Sequence, residues 1–160
     1  MKLSVGQSAP LFTLPDQSGR NRALKDFLGS WVFLYFYPKD DTPGCTTEAC
    51  SIRDNYTEFT KKKVVVLGIS FDTSKSHEKF ITKYKLPFVL LADVDKKVIQ
   101  DYDCWAQKEF MGREYMGTLR TSFLINPEGK IAKIYETVRP KDHIEDVLAD
   151  ITRAMKKASK

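Results

Sequence analysis

The sequence of 160 residues contains no apolar run of the ~18–20 residues that a membrane-spanning helix requires. Its first ten residues lack the apolar core of a secretory signal and the arginine-rich pattern of a transit peptide. We therefore expect a cytoplasmic protein without a membrane partner, although a presequence removed from a precursor would leave the same start. The chain also lacks linkers, internal repeats and low-complexity segments, which predicts one domain over residues 1–160.

Residues that bind metals are scarce. The sequence has three cysteines and two histidines, and it has none of the spacings typical of a structural zinc site, which needs four ligands. His77 and His143 fall within predicted helices, where surface or capping positions are expected. The sequence therefore favours no metal site, and a noncatalytic metal-binding module is kept only as an alternative function.

The net charge of +5 is spread along the chain rather than gathered in one segment. Residues 61–63 are lysines that join a predicted helix to a predicted strand. The lysines within residues 156–160 follow the last helix in a tail prone to fraying, where cations suit the helix dipole. No aromatic stretch typical of RNA-binding sheets accompanies this charge. We therefore expect a solvated surface and no nucleic-acid partner, and a nucleic-acid-binding module is a second alternative.

A strand followed directly by a helix start surrounds one of the cysteines. Residues 31–37 form an unbroken apolar and aromatic run, which is typical of a strand buried on both faces of a sheet. Pro38 ends this run. Thr42 followed by Pro43 predicts a helix start, in which the threonine hydroxyl caps free backbone N–H groups and the proline occupies the first turn.

Cys45 falls in the first turn of this predicted helix. Free N–H groups and the positive end of the helix dipole stabilise a thiolate there, and the thiolate is the nucleophilic form of cysteine. Most cysteines that are not in disulfides are inert and buried, but the polar, tight entry formed by Thr42, Pro43 and Gly44 is a poor setting for one. The position therefore indicates a reactive thiol.

The spacing Pro38-x-x-x-Thr42-x-x-Cys45 resembles the active-site signature of peroxiredoxins, the cysteine-dependent peroxidases. Cys50, five residues further on, and residues 53–54 make the sequence similar to the bacterioferritin-comigratory protein or PrxQ branch in particular. Further matching segments are residues 68–72, 76–80, 86–88, Trp105 and 120–125. The resemblance therefore covers nearly the whole chain.

The resemblance implies a role for each residue of this signature. The thiolate of Cys45 attacks a peroxide oxygen and becomes a sulfenic acid, which Cys50 converts into an intramolecular disulfide. Arg120, which opens an apolar strand, is the cation expected to stabilise the thiolate and hold the peroxide. Thr42 supplies a hydroxyl to the peroxide and the thiolate, and Pro38 shields the pocket from water. Thioredoxin is the external reductant that the family suggests, and no cofactor is expected.

The order of the predicted elements indicates an α/β protein with a central mixed sheet flanked by helices, and the resemblance implies a thioredoxin-like fold. The predicted strands are residues 11–14, 31–37, 63–70, 88–92, 118–126 and 130–136, with turns at 16–19 and 126–129. The predicted helices are a single turn at 24–28, a helix after Thr42 with Ala49, Ile52, Tyr56 and Phe59 on one face, and residues 74–84, 96–102 and 144–155. The first strand and its turn are expected to cover one edge of the sheet.

Several neighbouring features are left open by the sequence. Glu48 can orient Arg120 or remain a solvated carboxylate. Cys104 can be buried filler, which is the simpler interpretation, or a backup resolving thiol. Four residues of the predicted loop before Arg120 can form an apolar collar for organic hydroperoxides, core packing or a dimer contact: Phe110, Met111, Tyr115 and Met116. The choice between hydrogen peroxide and organic hydroperoxides stays open, as does that between a monomer and a weak homodimer.

The spacing of the two motif cysteines also predicts a conformational change. In an intact helix the Cα atoms of Cys45 and Cys50 are about 8–9 Å apart, whereas a disulfide needs about 4.4–6.8 Å. The helix must therefore unwind partly in each catalytic cycle. Gly44 favours that opening, because glycine is a weak helix former.

The main rival among enzymes is a general dithiol-disulfide oxidoreductase. Such enzymes typically carry C-x-x-C, whereas four residues separate Cys45 from Cys50. A peroxidase is therefore the predicted function, and the oxidoreductase is kept as an alternative.

Overall fold

The structure is a computed structural model that describes residues 3–136 and 138–158. The strands in these residues are β1 Thr13–Pro15, β2 Asn21–Ala23, β3 Trp31–Phe36, β4 Val64–Ser70, β5 Val89–Ala92, β6 Trp105–Phe110, β7 Arg113–Thr118, β8 Ser122–Ile125 and β9 Ile131–Tyr135. The helices are α1 Pro43–Asp54, α2 Tyr56–Lys61, α3 Ser74–Tyr84, α4 Lys97–Asp101 and α5 His143–Ala158, with a 3-10 turn at Leu24–Phe27. Residues 159 and 160, the last two of the tail that was predicted to fray, lie outside the described part. Within that part, no helix combines the length and apolar character needed to cross a membrane.

Five strands form the central sheet in the order β5-β4-β3-β8-β9. β3, β4 and β5 are parallel, whereas β8 is antiparallel to both β3 and β9. The predicted α/β class with a mixed central sheet is therefore confirmed. A bridge between Asp16 and Leu91 joins the hairpin β1–β2 to the edge strand β5, as the sequence predicted.

The central strand β3 divides the core into two clusters. Its alternate side chains Val32, Leu34 and Phe36 pack on one face of the sheet, and Phe33 and Tyr35 pack on the other. This alternation on a strand that is buried on both faces explains the continuous apolar run of residues 31–37. The first cluster contains Cys104 and the second contains Cys45. The sheet therefore separates these two thiols.

The sequence predicted a loop before Arg120, and this prediction is wrong for residues 105–118. They form the hairpin β6–β7, in which Phe110 pairs with Arg113 across a two-residue turn. Both turn residues, Met111 and Gly112, have positive φ angles of 53° and 79°, which suit the twist of a tight hairpin. The prediction failed because methionine is an unusual residue at the first turn position and because charged residues interrupt the apolar alternation. The strand predicted at 118–126 is accordingly shorter and begins at Ser122.

The helix that carries Cys45 is also shorter than the apolar spacing suggested. It ends at Asp54, and α2 begins at Tyr56 after a break at Asn55, whose side chain donates a hydrogen bond to the carbonyl of Ser51. Asparagine favours such local bonds over a continued helix. The apolar face predicted for one helix is therefore shared by two.

Sequence analysis expected surface or capping positions for both histidines, but both are buried, so the surface alternative was wrong for each. His77 lies inside α3 with no exposed surface, and His143 begins α5 with 6% of its surface exposed. The ring of His143 packs against Phe33 and Tyr135, with centroid distances of 5.8 and 5.0 Å. Its Nε2 atom lies 3.1 Å from Ser122 Oγ. Burial lowers the pKa of His143 to about 4, although acidic residues of α5 oppose that shift.

We expect acid to destabilise the protein through His143. Its pKa is about 4 in the folded chain and near 6.5 in the unfolded chain, so the unfolded chain takes up the proton first as the pH falls. This contribution is complete above about pH 6.5 and is lost towards pH 4, by up to about 3 kcal/mol. In urea titrations, His143→Gln should show a flatter pH profile across that window. Parallel profiles for the two proteins would contradict this account.

Candidate active site

The loop after β3 delivers Cys45 to the start of α1. Thr42 is the residue before the first helical turn, with extended backbone angles of φ −97° and ψ 156°, and Pro43 begins the helix. The first intrahelical hydrogen bond runs from Thr46 N to Thr42 O at 2.8 Å. Cys45 lies in this turn and has 1% of its surface exposed. The predicted helix start is therefore found at the predicted residues.

The predicted cap by the Thr42 side chain is not formed. The Thr42 hydroxyl instead donates to the carbonyl of Lys39 at 2.8 Å, and within the described chain it accepts no hydrogen bond from the first turn of α1. This bond closes the loop that precedes the helix. The first-turn N–H groups near Cys45 therefore have no competing side-chain oxygen from Thr42.

Arg120 bridges the thiol and a carboxylate on α1. Its Nη2 atom donates to Cys45 Sγ at 3.3 Å, and its Nη1 atom donates to Glu48 Oε1 at 3.0 Å. Burial opposes the charge of Arg120, but the neighbouring Cys45 and Glu48 raise its pKa. A Cβ atom at Gly44 would lie 3.0 Å from Arg120 Nη2. The absence of a side chain at Gly44 therefore makes room for the guanidinium group.

Glu48 is fully buried, which excludes the alternative of a solvated carboxylate. One oxygen binds Arg120, whereas Oε2 has no hydrogen-bond partner among the described residues. Burial raises the pKa of Glu48 to about 7, although Arg120 opposes that shift. The nearby hydroxyl of Tyr35 is also buried without a partner in the described chain, and burial together with Glu48 and Cys45 holds the pKa of Tyr35 well above its ordinary value.

An open cavity of about 420 Å³ adjoins Arg120. Its remaining lining residues are Lys108, Leu119, Thr121, Glu136 and Val138. Lys108 Nζ donates to the carbonyl of Thr118 at 3.1 Å. Burial, followed by the charge of Arg120, lowers the pKa of Lys108. Two cationic side chains therefore line one opening, and one of them, Arg120, also contacts the thiol.

The hairpin residues considered as an apolar collar are exposed, so core packing does not account for them. Their exposed fractions run from 46% for Tyr115 to 87% for Met111. Tyr115 pairs directly with Lys108, whereas Met116 pairs with Gln107 and thus points to the opposite face. Only part of the predicted collar therefore shares a face with the cavity-lining Lys108.

The other two cysteines differ sharply in their surroundings. Cys50 is half-buried on the intact helix α1, and all three cysteines of the chain are free thiols. Cys104 is fully buried, donates its S–H to the carbonyl of Tyr102 at 3.3 Å, and has its pKa raised by burial to about 12. Pro38 is half-buried, two residues after the last residue of β3. Cys104 is therefore a packed, unreactive thiol in this structure.

Sequence reasoning missed a buried polar cluster beside the loop to α1. Asp40, Asp72 and His77 bring one possible ligand atom each within 4.8 Å of one another. Hydrogen bonds from Tyr37, Ser76 and Ser70 already occupy these carboxylates. The order of the elements offered a signal, because Asp40 and Asp72 follow adjacent parallel strands whose carboxyl ends share one edge of the sheet.

Three comparisons identify relatives of this chain. The AhpC/TSA family profile matches residues 5–134. Peroxiredoxin Bcp of Escherichia coli is 45% identical over 146 residues, which cover 91% of this chain and 94% of that protein. A structure of the Xanthomonas campestris bacterioferritin comigratory protein has a TM-score of 0.85 at 34% identity, covering 89% and 91% of the two chains. A cysteine-to-serine mutant of Xylella fastidiosa PrxQ has a TM-score of 0.91 at 29% identity, covering 97% and 99%.

These likenesses assign the central sheet to the thioredoxin-like peroxiredoxin fold. They also agree with the motif around Cys45, because the family profile includes the whole segment from β1 to β9 apart from the last residue of β9. The chain belongs to the AhpC/TSA family, as a peroxiredoxin of the Bcp/PrxQ branch.

Proposed function

We propose that Cys45 is the peroxidatic thiol of a thioredoxin-dependent peroxidase. The observation that carries the proposal is the hydrogen bond from Arg120 to Cys45 Sγ at the N-terminus of α1. The helix dipole and the guanidinium group both stabilise a thiolate at that position. Glu48 holds the other side of the guanidinium group, so Arg120 is oriented before substrate arrives.

The chemical step is a displacement at the peroxide oxygen. The Cys45 thiolate forms an S–O bond as the O–O bond breaks, and the electron pair leaves with the second oxygen, which takes a proton to become water or an alcohol. In this proposal, N–H groups of Arg120 stabilise the charge on that oxygen. The Thr42 hydroxyl donates to the Lys39 carbonyl and so has lone pairs left to accept a hydrogen bond from the peroxide, and Pro38 restricts water at the loop that leads to the thiol.

Cys50 completes the cycle in this proposal. Its thiol attacks the Cys45 sulfenic acid, an S–S bond forms, and water leaves. Thioredoxin then reduces the disulfide by thiol exchange. Support comes from the half-buried state of Cys50 on the same helix and from the packed state of Cys104 on the other side of the sheet. Because α1 is intact in this structure, it has to unwind before the bond can form.

The proposed substrates are hydrogen peroxide and organic hydroperoxides. The related Xanthomonas campestris protein has alkyl peroxide reduction activity, and the cavity beside Arg120 has room for an organic substituent. The face of the hairpin that carries Tyr115 supplies the apolar contact. We assign the chain to the cytoplasm, because its free thiols suit a reducing compartment. We further propose that it is one domain and either a monomer or a weak homodimer.

Cysteine substitutions test the function directly. With thioredoxin, thioredoxin reductase and NADPH, Cys45→Ser should lose peroxide consumption, because the nucleophile is gone. Cys50→Ser should react once with peroxide and then fail to be recycled by thioredoxin. Cys104→Ser is the matched control and should keep most of the activity. Substantial turnover by Cys45→Ser would refute the assignment, and a Cys45–Cys104 disulfide in mass spectra would overturn the choice of Cys50.

Arg120→Met should slow the reaction of Cys45 with hydrogen peroxide by about 100-fold or more, which is the usual effect of removing one donor to a developing charge. Arg139→Met removes an exposed arginine by the same substitution and serves as the control. Equal rates for the two variants would move the role away from Arg120.

Disulfide formation should open α1 locally. Amide hydrogen exchange across residues 42–53 should be faster in oxidised than in reduced protein, because the Cys45–Cys50 bond cannot form within the intact helix. Exchange in α5, which does not contain either cysteine, serves as the internal reference. A Cys45–Cys50 disulfide with unchanged exchange in residues 42–53 would disprove the opening.

A further inference from the structure

Asp40 and His77 connect the loop before α1 to helix α3. Asp40 occupies one of the unspecified positions between Pro38 and Thr42, His77 lies outside the cysteine motif, and both are buried. We propose that this pair is a positioning unit that fixes the N-terminal end of α1, so that the helix opens between two anchored ends. The inference deepens the proposed function, because it concerns the balance between the closed and open forms of the Cys45 site.

The carboxylate of Asp40 is held on both oxygens. Oδ1 accepts from the Tyr37 hydroxyl at 2.6 Å, and Oδ2 accepts from Ser76 Oγ at 2.8 Å. Oδ2 also lies 2.7 Å from His77 Nδ1. Two consecutive residues of α3, Ser76 and His77, therefore bond to the side chain of Asp40 in the loop.

The hydrogen bond made by the other ring nitrogen of His77, Nε2, determines how many protons the His77–Asp40 pair carries. Nε2 lies 2.9 Å from the backbone carbonyl of Leu91, which can only accept a hydrogen bond, so Nε2 carries a proton. The bond between Nδ1 and Asp40 then contains a second proton, either as imidazolium with carboxylate or shared between the two groups. Charge-assisted bonds of this kind are stronger than neutral ones, especially where water is excluded.

The backbone of the loop is anchored at the same place. The Asp40 N–H donates to Asp72 Oδ2 at 2.9 Å, and Ser70 Oγ donates to the same oxygen at 2.6 Å. Ser70 ends β4, so Asp72 Oδ2 ties the loop to the sheet, in addition to the side-chain bonds that tie the loop to α3. Asp40 is therefore fixed by its side chain and its main chain together.

Asp41, the next residue of the loop, and Arg53, near the C-terminal end of α1, both form hydrogen bonds with the C-terminal end of α3. Asp41, with a positive φ of 57°, accepts from Lys83 Nζ at 2.8 Å and from the Tyr84 hydroxyl at 2.6 Å. The carbonyl of Tyr84 accepts from Arg53 Nη1 at 2.7 Å. Both ends of the segment that contains Cys45 and Cys50 are thus tied to one helix.

Between these ends, Arg120 supplies side-chain bonds that hold the α1 segment closed, through Cys45 and Glu48. Oxidation of the thiolate to a neutral sulfenic acid removes the charge from the first of these bonds. The segment can then open while Asp40 and Arg53 stay in place. Asp40 and His77 do not touch the reacting atoms, so their effect is on the position and the closure of the site.

Loss of this anchor should shift two rates in opposite directions, because an opened segment with one released end keeps chain entropy that a segment fixed at both ends loses. Peroxide attack needs the closed site and should slow. Disulfide formation needs the open segment and should accelerate. A second peroxide can instead oxidise the sulfenate of Cys45 to a sulfinate and leave as water or alcohol, and this competing product should decrease. General destabilisation would lower both activity and recycling rather than separate them.

The test is rapid mixing of the full-length variants with hydrogen peroxide, with sulfenic, disulfide and sulfinic products measured by mass spectrometry. For His77→Ala we expect about tenfold slower sulfenic acid formation and about tenfold faster disulfide formation, the scale of one lost charge-assisted bond. Asp40→Asn keeps the shape and can donate to neutral His77, so its changes should be smaller. Lys97→Ala removes an exposed ion pair with Asp101 on α4, outside the anchor, and should change each rate by less than about twofold.

Unchanged rates in His77→Ala, or two rates that fall together, would overturn the proposal. Ser76→Ala decides the matter if His77→Ala does not fold, because it removes one bond to Asp40 and should shift the ratio of the two rates by about threefold. An unchanged ratio in that variant would also overturn it. Amide exchange of reduced protein over residues 40–47 should be faster in either variant than in wild type, and equal exchange would refute the anchor. The amide-exchange measurement needs no peroxide. If the wild-type protein did not reduce peroxide, that result would therefore refute the proposed function separately from the anchor.

Discussion

The contact of the half-buried Arg120 guanidinium group with Cys45 and Glu48 is the interaction on which the site depends. A charge removed from water is stable only when its partners compensate for the lost hydration. Arg120 finds both partners on α1, where Cys45 and Glu48 lie three residues apart and so share one face of the helix. The close approach also requires the missing side chain of Gly44. The helix start and the arginine therefore depend on each other.

The mixed sheet brings these partners together. Cys45 follows the carboxyl end of β3, and Arg120 precedes the amino end of β8. These ends share one edge of the sheet because β8 runs antiparallel to β3, with Tyr35 opposite Ser122. A parallel β8 would have put its amino end, and the arginine, at the opposite edge. The change from parallel to antiparallel pairing is thus what creates the site.

Features with local signals could be predicted from the sequence, and features set by tertiary contacts could not. The run into Pro38, the helix start before Cys45 and the strand after Arg120 each depend on neighbouring residues, and the fold followed from their order. The direction of the Thr42 hydroxyl and the burial of His77 depend on partners elsewhere, such as Asp40 and the Leu91 carbonyl. Helical spacing does put His77 on the apolar face of α3 with Phe80 and Tyr84, but it does not reveal the partners that make burial of the ring possible.

Burial of Glu48 gives the closed site a built-in tendency to open. Its carboxylate pairs with Arg120 through one oxygen, and burial raises the pKa because the hydration that the group loses is only partly replaced. Glu48 lies within the segment that we propose to unwind, so opening returns it to water and recovers that hydration. While the thiolate of Cys45 is present, its attraction to Arg120 opposes this release. Oxidation removes that attraction but leaves the desolvation of Glu48 unchanged, so the same buried residues that stabilise the reactive thiolate favour opening once it has reacted.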